Sequence, residues 1–318
     1  MEKDARIYVA GHRGLVGSAM KRKLEAKGYE DIIIRTHHSL DLLNQNAVTN
    51  FFEDEKPEYV FMAAAKVGGI LANSTYPAEF IYENLMVAAN VIHAAYKNDV
   101  TKLLFLGSSC IYPRLAPQPL KEEYLMTGLL EDTNEAYAIA KITGLKMCRY
   151  YNFQYDTNFI SVMPTNLYGQ NDNFNPESSH VMPALIRKFH EAKINNEPTV
   201  TMWGTGSVLR EFMHVDDMAD ACVYLMENCD AGQIGEFVNI GTGKDITVRG
   251  LAELISEIVG YEGEIVNDLT KPDGMPQKLL DLTRLHSLGW DAKISLRDGI
   301  QQTYDWFSSE YDKKWLRK

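Results

Sequence analysis

The chain has 318 residues, of which 45% are hydrophobic, 10% aromatic and 24% charged, enough to bury a full core in one large or two interleaved domains and unlike a disordered or fibrous protein. Its formal net charge of −11 excludes nucleic acid as a partner, which needs a basic footprint, but leaves small anionic ligands open because they respond to local charge. Four cysteines (Cys110, Cys148, Cys222, Cys229) form no C-x-x-C pair and accompany no histidine cluster, so the sequence supports neither a metal site nor a disulfide framework.

The first residues run straight into the apolar Ile7-Tyr8-Val9-Ala10 without a secretory leader. No apolar run approaches the roughly 20 residues that span a bilayer. The expectation is a soluble, cytoplasmic protein with no membrane partner. In chain order, short apolar runs near 6–10, 31–35, 58–64, 102–107 and 158–163 predict strands, with helix-period segments near 15–28, 45–55, 78–97 and 134–153 between them. That alternation predicts an α/β fold with a Rossmann-type, doubly wound parallel sheet. The connection 109–133 is too long for the rhythm, and loops of that length are usually functional.

Past about residue 164 the rhythm loosens. A Gly-, Asn- and Pro-rich stretch (165–179) precedes a helix near 181–194, a strand at 199–203, and Arg210–Asp217 leading into another helix. Phe237–Ile240 reads as a strand and Val248–Val259 as a helix. We expect residues 1–164, with a return near 211–240, to form the sheet domain, and 165–210 with 241–318 to form a smaller α/β lobe.

Gly11-His12-Arg13-Gly14-Leu15-Val16-Gly17 follows the first strand and opens the first helix. Gly11 permits the tight turn, Gly14 lets backbone approach a pyrophosphate, and Gly17 lets helix pack on strand. The helix N-terminus then offers free amides to the anion. An NAD-preferring site would end the second strand on an acidic residue; here it reads Ile34-Arg35-Thr36-His37-His38. Arg35 and Arg13 make a cationic pocket for a 2′-phosphate, which favours NADP. Asp41 is placed toward the adenine edge, and Ala63-Ala64-Ala65 ends the third strand with small side chains where a cofactor passes.

Tyr137 and Lys141 stand at i and i+4, neighbours on one helical face. A nearby ammonium is expected to lower the phenol from its free pKa of about 10, so that it can exchange a proton with a substrate oxygen while the nicotinamide moves a hydride. Ser108, at the end of the fourth strand, would hold the same oxygen.

With these residues in place, the chain resembles the extended short-chain dehydrogenase/reductase family, which joins a Rossmann domain to a nucleotide-sugar lobe. The resemblance runs through A-G-H-R-G-L-V-G-S-A, A-A-A-K-V-G-G-I, L-L-F-L-G-S-S-C-I-Y-P, N-E-A-Y-A-I-A-K, S-V-M-P-T-N-L-Y-G, S-S-H-V-M-P-A-L, R-E-F-M-H-V-D-D-M-A and K-P-D-G, nearly the whole chain. The blocks S-S-C-I-Y-P and S-S-H-V are similar to those of members that epimerise GDP-4-keto-6-deoxy-D-mannose at C3 and C5 and reduce it at C4 with NADPH. The resemblance implies further cofactor contacts at Leu42, Ala64, Leu106, Gly107, Lys141, Pro164, Thr165, Asn166, Leu167 and His180. It places Cys110 where related dehydratases carry a Glu, and His180 as its partner in proton exchange.

A thiol near pKa 8.5 and an imidazole near 6.5 are roughly a donor and an acceptor ready made at neutral pH. Which of the two acts as acid stays open. Lys188, Trp203, Arg210 and Asp273 match positions that contact the GDP-sugar, and a homodimer through the helices carrying Tyr137–Lys141 and Phe80–Tyr96 is implied. Three positions depart from the pattern: His37 and Lys188 each replace an Arg, and Gln277 stands where a basic residue is frequent. Another sugar-nucleotide epimerase or dehydratase would carry Thr or Glu at position 110. A non-catalytic NADP-sensing regulator would lack the Tyr or the Lys.

Overall fold

In the computed structural model, residues 1–176, 178–270 and 274–314 are described. The first half alternates as the sequence predicts: β1 (Ile7–Ala10), α1 (Leu15–Ala26), β2 (Ile32–Ile33), α2 (Gln45–Glu55), β3 (Tyr59–Met62), α3 (Ile70–Thr75), α4 (Pro77–Lys97), β4 (Lys102–Leu106), α5 (Glu135–Tyr155) and β5 (Phe159–Pro164). Every residue of β1, β4 and β5 is buried, the signature of strands covered on both faces. Pro77 starts α4 at its first turn, where a missing amide costs nothing.

The second half adds β6 (Asn166–Tyr168), α6 (Val181–Ile194), β7 (Thr199–Trp203), β8 (Leu209–His214), α7 (Val215–Asn228), α8 (Ala231–Ile234), β9 (Val238–Ile240), β10 (Asp245–Thr247), α9 (Val248–Val259), β11 (Glu264–Asp268), β12 (Gln277–Lys278), α10 (Thr283–Ser287) and α11 (Leu296–Lys314). Among the described residues no helix is long and apolar enough to cross a membrane.

The central sheet is parallel throughout, in the order β2-β1-β3-β4-β5-β9. Strand order reverses between β1 and β3, and the crevice outside the carboxyl ends at such a switch point is where open α/β sheets bind ligands. One core spans this sheet and the helices on it, with Ile7, Phe61, Leu104, Val162, Met20 and Met218 fully enclosed. A second core, around Ile186, Phe189, Leu251, Ile255 and Phe307, joins α6, α9 and α11.

β8 pairs in parallel with β6 and β12 and antiparallel with β10. The β12 register sets Lys278 beside Arg210. The long connection after β4 is ordered. Tyr112 donates to Asn239 Oδ1 at 2.6 Å, Glu122 accepts from Asn239 N at 3.0 Å, and Leu120 N donates to Leu279 O at 2.7 Å.

Candidate active site

The glycine loop closes on the sheet as the motif requires. Gly11 has φ +83°, and a Cβ there would meet Ala64 N at 2.8 Å; at Gly17 it would meet Gly11 O at 2.2 Å. No side chain could stand at either position without moving backbone. Gly14 is the N-cap of α1 and offers no side-chain cap, and the first turn holds no acidic residue, so the amides that follow it, from Leu15 and Val16, face the crevice free of a competing anion. The cradle fits a dinucleotide pyrophosphate. His12 Nδ1 is buried without a partner, and burial together with the charges of Arg13 and Lys21 keeps its imidazole neutral.

At the adenosine end Arg13 and His37 are exposed, and His37 Nδ1 lies 3.7 Å from Asp41 Oδ1. Asp41 also accepts from Leu43 N at 3.0 Å. Arg35 is engaged: it pairs with Glu55 at the end of α2 and lies 5.5 Å over the Phe51 ring. The cationic pocket therefore contains a carboxylate that strand-end reasoning missed. Leu42 O accepts from Asn90 at 2.9 Å. Ala64, Leu106, Gly107 and Pro164 follow or end β3, β4 and β5 along the carboxyl edge. Thr165 and Asn166 both donate to Glu211 O, at 3.2 and 2.7 Å, fixing the chain as it passes through Leu167 into the second lobe.

Ser108 leaves β4 extended and caps a single 3-10 turn, Ser109–Ile111, whose first amides include Cys110 N at 3.4 Å from Ser108 Oγ. This turn sets hydroxyl and thiol on one side. Tyr137 packs edge-on against Phe80 with ring centres 6.2 Å apart, and Lys141 lies 5.7 Å from the Tyr137 ring centre. Lys141 Nζ donates to Leu106 O at 2.8 Å, and burial pushes its pKa down to about 8.

The expectation that Lys141 lowers the Tyr137 pKa is corrected here. Burial pushes the phenol up, the Cys110 thiol adds to the rise, and the Ser108 hydrogen bond is what pulls it back. The physical reason is that Lys141 is itself desolvated and spends its hydrogen bond on a main-chain oxygen.

Cys110 is buried, and burial raises its pKa against the pull of Lys278, Ser108 and Lys141. His180 is the N-cap residue of α6, yet its ring makes no cap. Water reaches it, but surrounding protein crowds it, and burial with the charge of Lys278 lowers its pKa. Thiol and imidazole thus share one electrostatic neighbour, Lys278. The resting pair is a protonated thiol and a neutral imidazole.

In the second lobe Lys188 donates to Thr201 O at 3.1 Å and lies 5.7 Å over the ring of Trp203, itself 60% exposed. Burial lowers the pKa of both Lys188 and Arg210. Arg210 donates to Leu209 O at 2.7 Å. Asp273 lies outside the described residues. Gln277 donates to Asp245 at 2.6 Å instead of serving the cleft. Sequence reasoning missed Lys278, because nothing local marks a two-residue strand that pairs with β8. It also gave no role to Asn134, whose Oδ1 is buried without a partner.

Comparison with known proteins places this geometry. Residues 7–241 match the model of the NAD-dependent epimerase/dehydratase family. The chain is 61% identical over 307 residues to a protein of Arabidopsis thaliana named putative GDP-L-fucose synthase 2, covering 96% of this chain and 93% of that one. It is 55% identical over 314 residues to the GDP-L-fucose synthase of Escherichia coli K12, covering 97% and 98%. Among solved structures, the GDP-mannoheptose C4 reductase of Campylobacter jejuni with NADP bound superposes with a TM-score of 0.90 at 42% identity, covering 97% and 99%.

Proposed function

Because this chain belongs to the NAD-dependent epimerase/dehydratase family, and within it to the GDP-L-fucose synthases, we propose that it converts GDP-4-keto-6-deoxy-D-mannose to GDP-L-fucose with NADPH. The substrate is epimerised at C3 and C5 and then reduced at C4. The observation that carries this reading is the shared surroundings of two proton-exchange systems: Ser108 Oγ accepts from Cys110 N at 3.4 Å and acts on the Tyr137 phenol, and Lys278 acts on both Cys110 and His180.

With a ketone at C4, the hydrogens on C3 and C5 are acidic. Ser108 and Tyr137 hold the ketone oxygen and stabilise the enolate that forms on proton loss, the electrostatic contribution that is usually largest in such sites. Inversion needs a proton taken from one face and returned to the other. The neutral imidazole of His180 and the protonated thiol of Cys110 offer one acceptor and one donor. The Gly11–Gly17 loop, with Arg13 and Arg35, would hold NADPH, which when bound would supply the hydride for C4. Tyr137 then gives its proton to the C4 oxygen, and Lys141, bound to Leu106 O, holds the helix that presents the phenol. Loss of the ketone ends the acidity of C3 and C5, so reduction locks the new configuration.

The proposal keeps residues 1–164 and 211–240 for the cofactor and 165–210 and 241–318 for the nucleotide-sugar, except that Leu280, Leu282, Leu285 and Trp290 pack in the core of the first domain; Lys188, Trp203 and Arg210 would contact GDP. Function as a cytoplasmic homodimer through α4 and α5 belongs to the same proposal. The test is incubation with GDP-4-keto-6-deoxymannose and NADPH in deuterated water, with label located by NMR. Deuterium at C3 and C5 and none from solvent at C4 is expected, and Cys110→Ser should lose label and product together. NADPH oxidation without label at either carbon would reduce the protein to a C4 reductase.

A further inference from the structure

The helix that carries Tyr137 begins on an asparagine that does not cap it. Asn134 is the N-cap residue of α5 with φ −136° and ψ 16°, and its side chain makes no cap. Asparagine in this place ordinarily accepts from a first-turn amide, as Asn44 does from Ala47 N at 3.1 Å on α2. Asn134 Oδ1 is instead buried with no hydrogen-bond partner. Asn134 lines a recess of about 10 Å³ with Cys110, Glu131, Met275 and Lys278 among its walls. That is the space of about one water oxygen in a polar setting. Buried polar atoms are nearly always paired in folded proteins, and one left unpaired beside a reactive centre calls for a donor that arrives with the ligand.

We propose that Asn134 contacts the substrate, its amide holding the C3 hydroxyl of the hexose in the recess beside Cys110. This rests on the epimerase/reductase reading above. The recess has room for a hydroxyl. Ser108 and Tyr137, which hold the C4 oxygen in that reading, stand two residues before Cys110 and three after Asn134. The hydroxyl that enters must therefore belong to a carbon next to C4. In a 4-keto-6-deoxyhexose C5 carries a methyl and the ring oxygen, which leaves only the hydroxyl on C3. A fixed amide at that point distinguishes the two configurations at C3 and has no purchase on C5.

Asn134→Leu removes both polar ends of the amide at similar volume, and Asn134→Asp keeps an accepting oxygen. In deuterated water Asn134→Leu should slow label incorporation at C3 by roughly tenfold or more relative to C5, while Asn134→Asp keeps C3 exchange closer to that of the unmodified protein. The thermal midpoint of Asn134→Leu should equal or exceed that of the unmodified protein, since no native hydrogen bond is removed. Equal effects at C3 and C5, no effect at either, or a lowered midpoint would overturn the assignment. An unmodified protein that exchanges neither hydrogen would sink the epimerase reading, and this one with it.

Discussion

Lys141 Nζ donates to the main-chain oxygen of Leu106 at 2.8 Å, tying the helix that carries Tyr137 to the end of the strand that delivers Ser108. The ammonium is buried, and its pKa falls from 10.5 to about 8. Because the charged form is the stronger donor to Leu106 O and so holds Tyr137 in place, the rate of C4 reduction should fall as pH rises through about 8. Lys141→Arg keeps its charge across this range and should move that fall upward, whatever its absolute rate. A pH–rate profile of NADPH oxidation reads both.

Tyr137→Phe removes one oxygen and keeps the ring that packs edge-on against Phe80 at 6.2 Å. Loss of a positioned proton donor should lower kcat by about 10²- to 10⁴-fold. Cofactor affinity should change little, because the glycine loop is untouched. Single-turnover reduction with NADPH and a fluorescence titration of NADPH separate the two effects.

These outcomes also mark how far the sequence could be read. Gly11–Gly17 and the Tyr137–Lys141 pair are local spacings, and local spacing survives into the fold: the strand, turn and helix stand where the pattern put them. The electrostatics are not local. A spacing of four residues sets Lys141 beside Tyr137 but says nothing of burial, which decides the direction of the phenol's pKa. Lys278 reaches the surroundings of Cys110 through the pairing of β12 with β8, a register that no periodicity in two residues can announce. Asn134 sat in plain view within N-E-A-Y, and only the folded chain shows that its oxygen bonds to nothing.

The pairing of Arg35 with Glu55 sets the cofactor preference lower than two arginines would by themselves. Both side chains are about one-third exposed, at 34% and 31%. An ion pair so placed is worth roughly 0.2–1 kcal/mol, a factor of about 1.5 to 5. Glu55→Gln should raise the ratio of kcat/KM for NADPH over NADH by about that factor, and Arg35→Ala should lower it. A fall in the ratio for Glu55→Gln would mean that the carboxylate orients Arg35 more than it neutralises it.

Stability should depend on a cation far from the chemistry. Lys102, at the first residue of β4, is buried and donates to Leu225 O at 2.9 Å and Met226 O at 2.8 Å as well as to Cys229 O, closing the last turn of α7 against the strand that leads to Ser108. Lys102→Met fills the space but leaves carbonyl oxygens without their donor, which should cost roughly 2–4 kcal/mol in denaturant unfolding at pH 7. Burial lowers the Lys102 pKa from 10.5 to about 8, so between those values the unfolded chain holds a proton that the folded chain has released. Stability from this group therefore rises with pH over that window, and below about 8, where both states are charged, the burial penalty is constant. Lys141 contributes with the same sign. Comparing unfolding at pH 7 and 9.5, the gain of the unmodified protein should shrink in Lys102→Met. An equal gain in both would show that the ammonium does not titrate in the folded state.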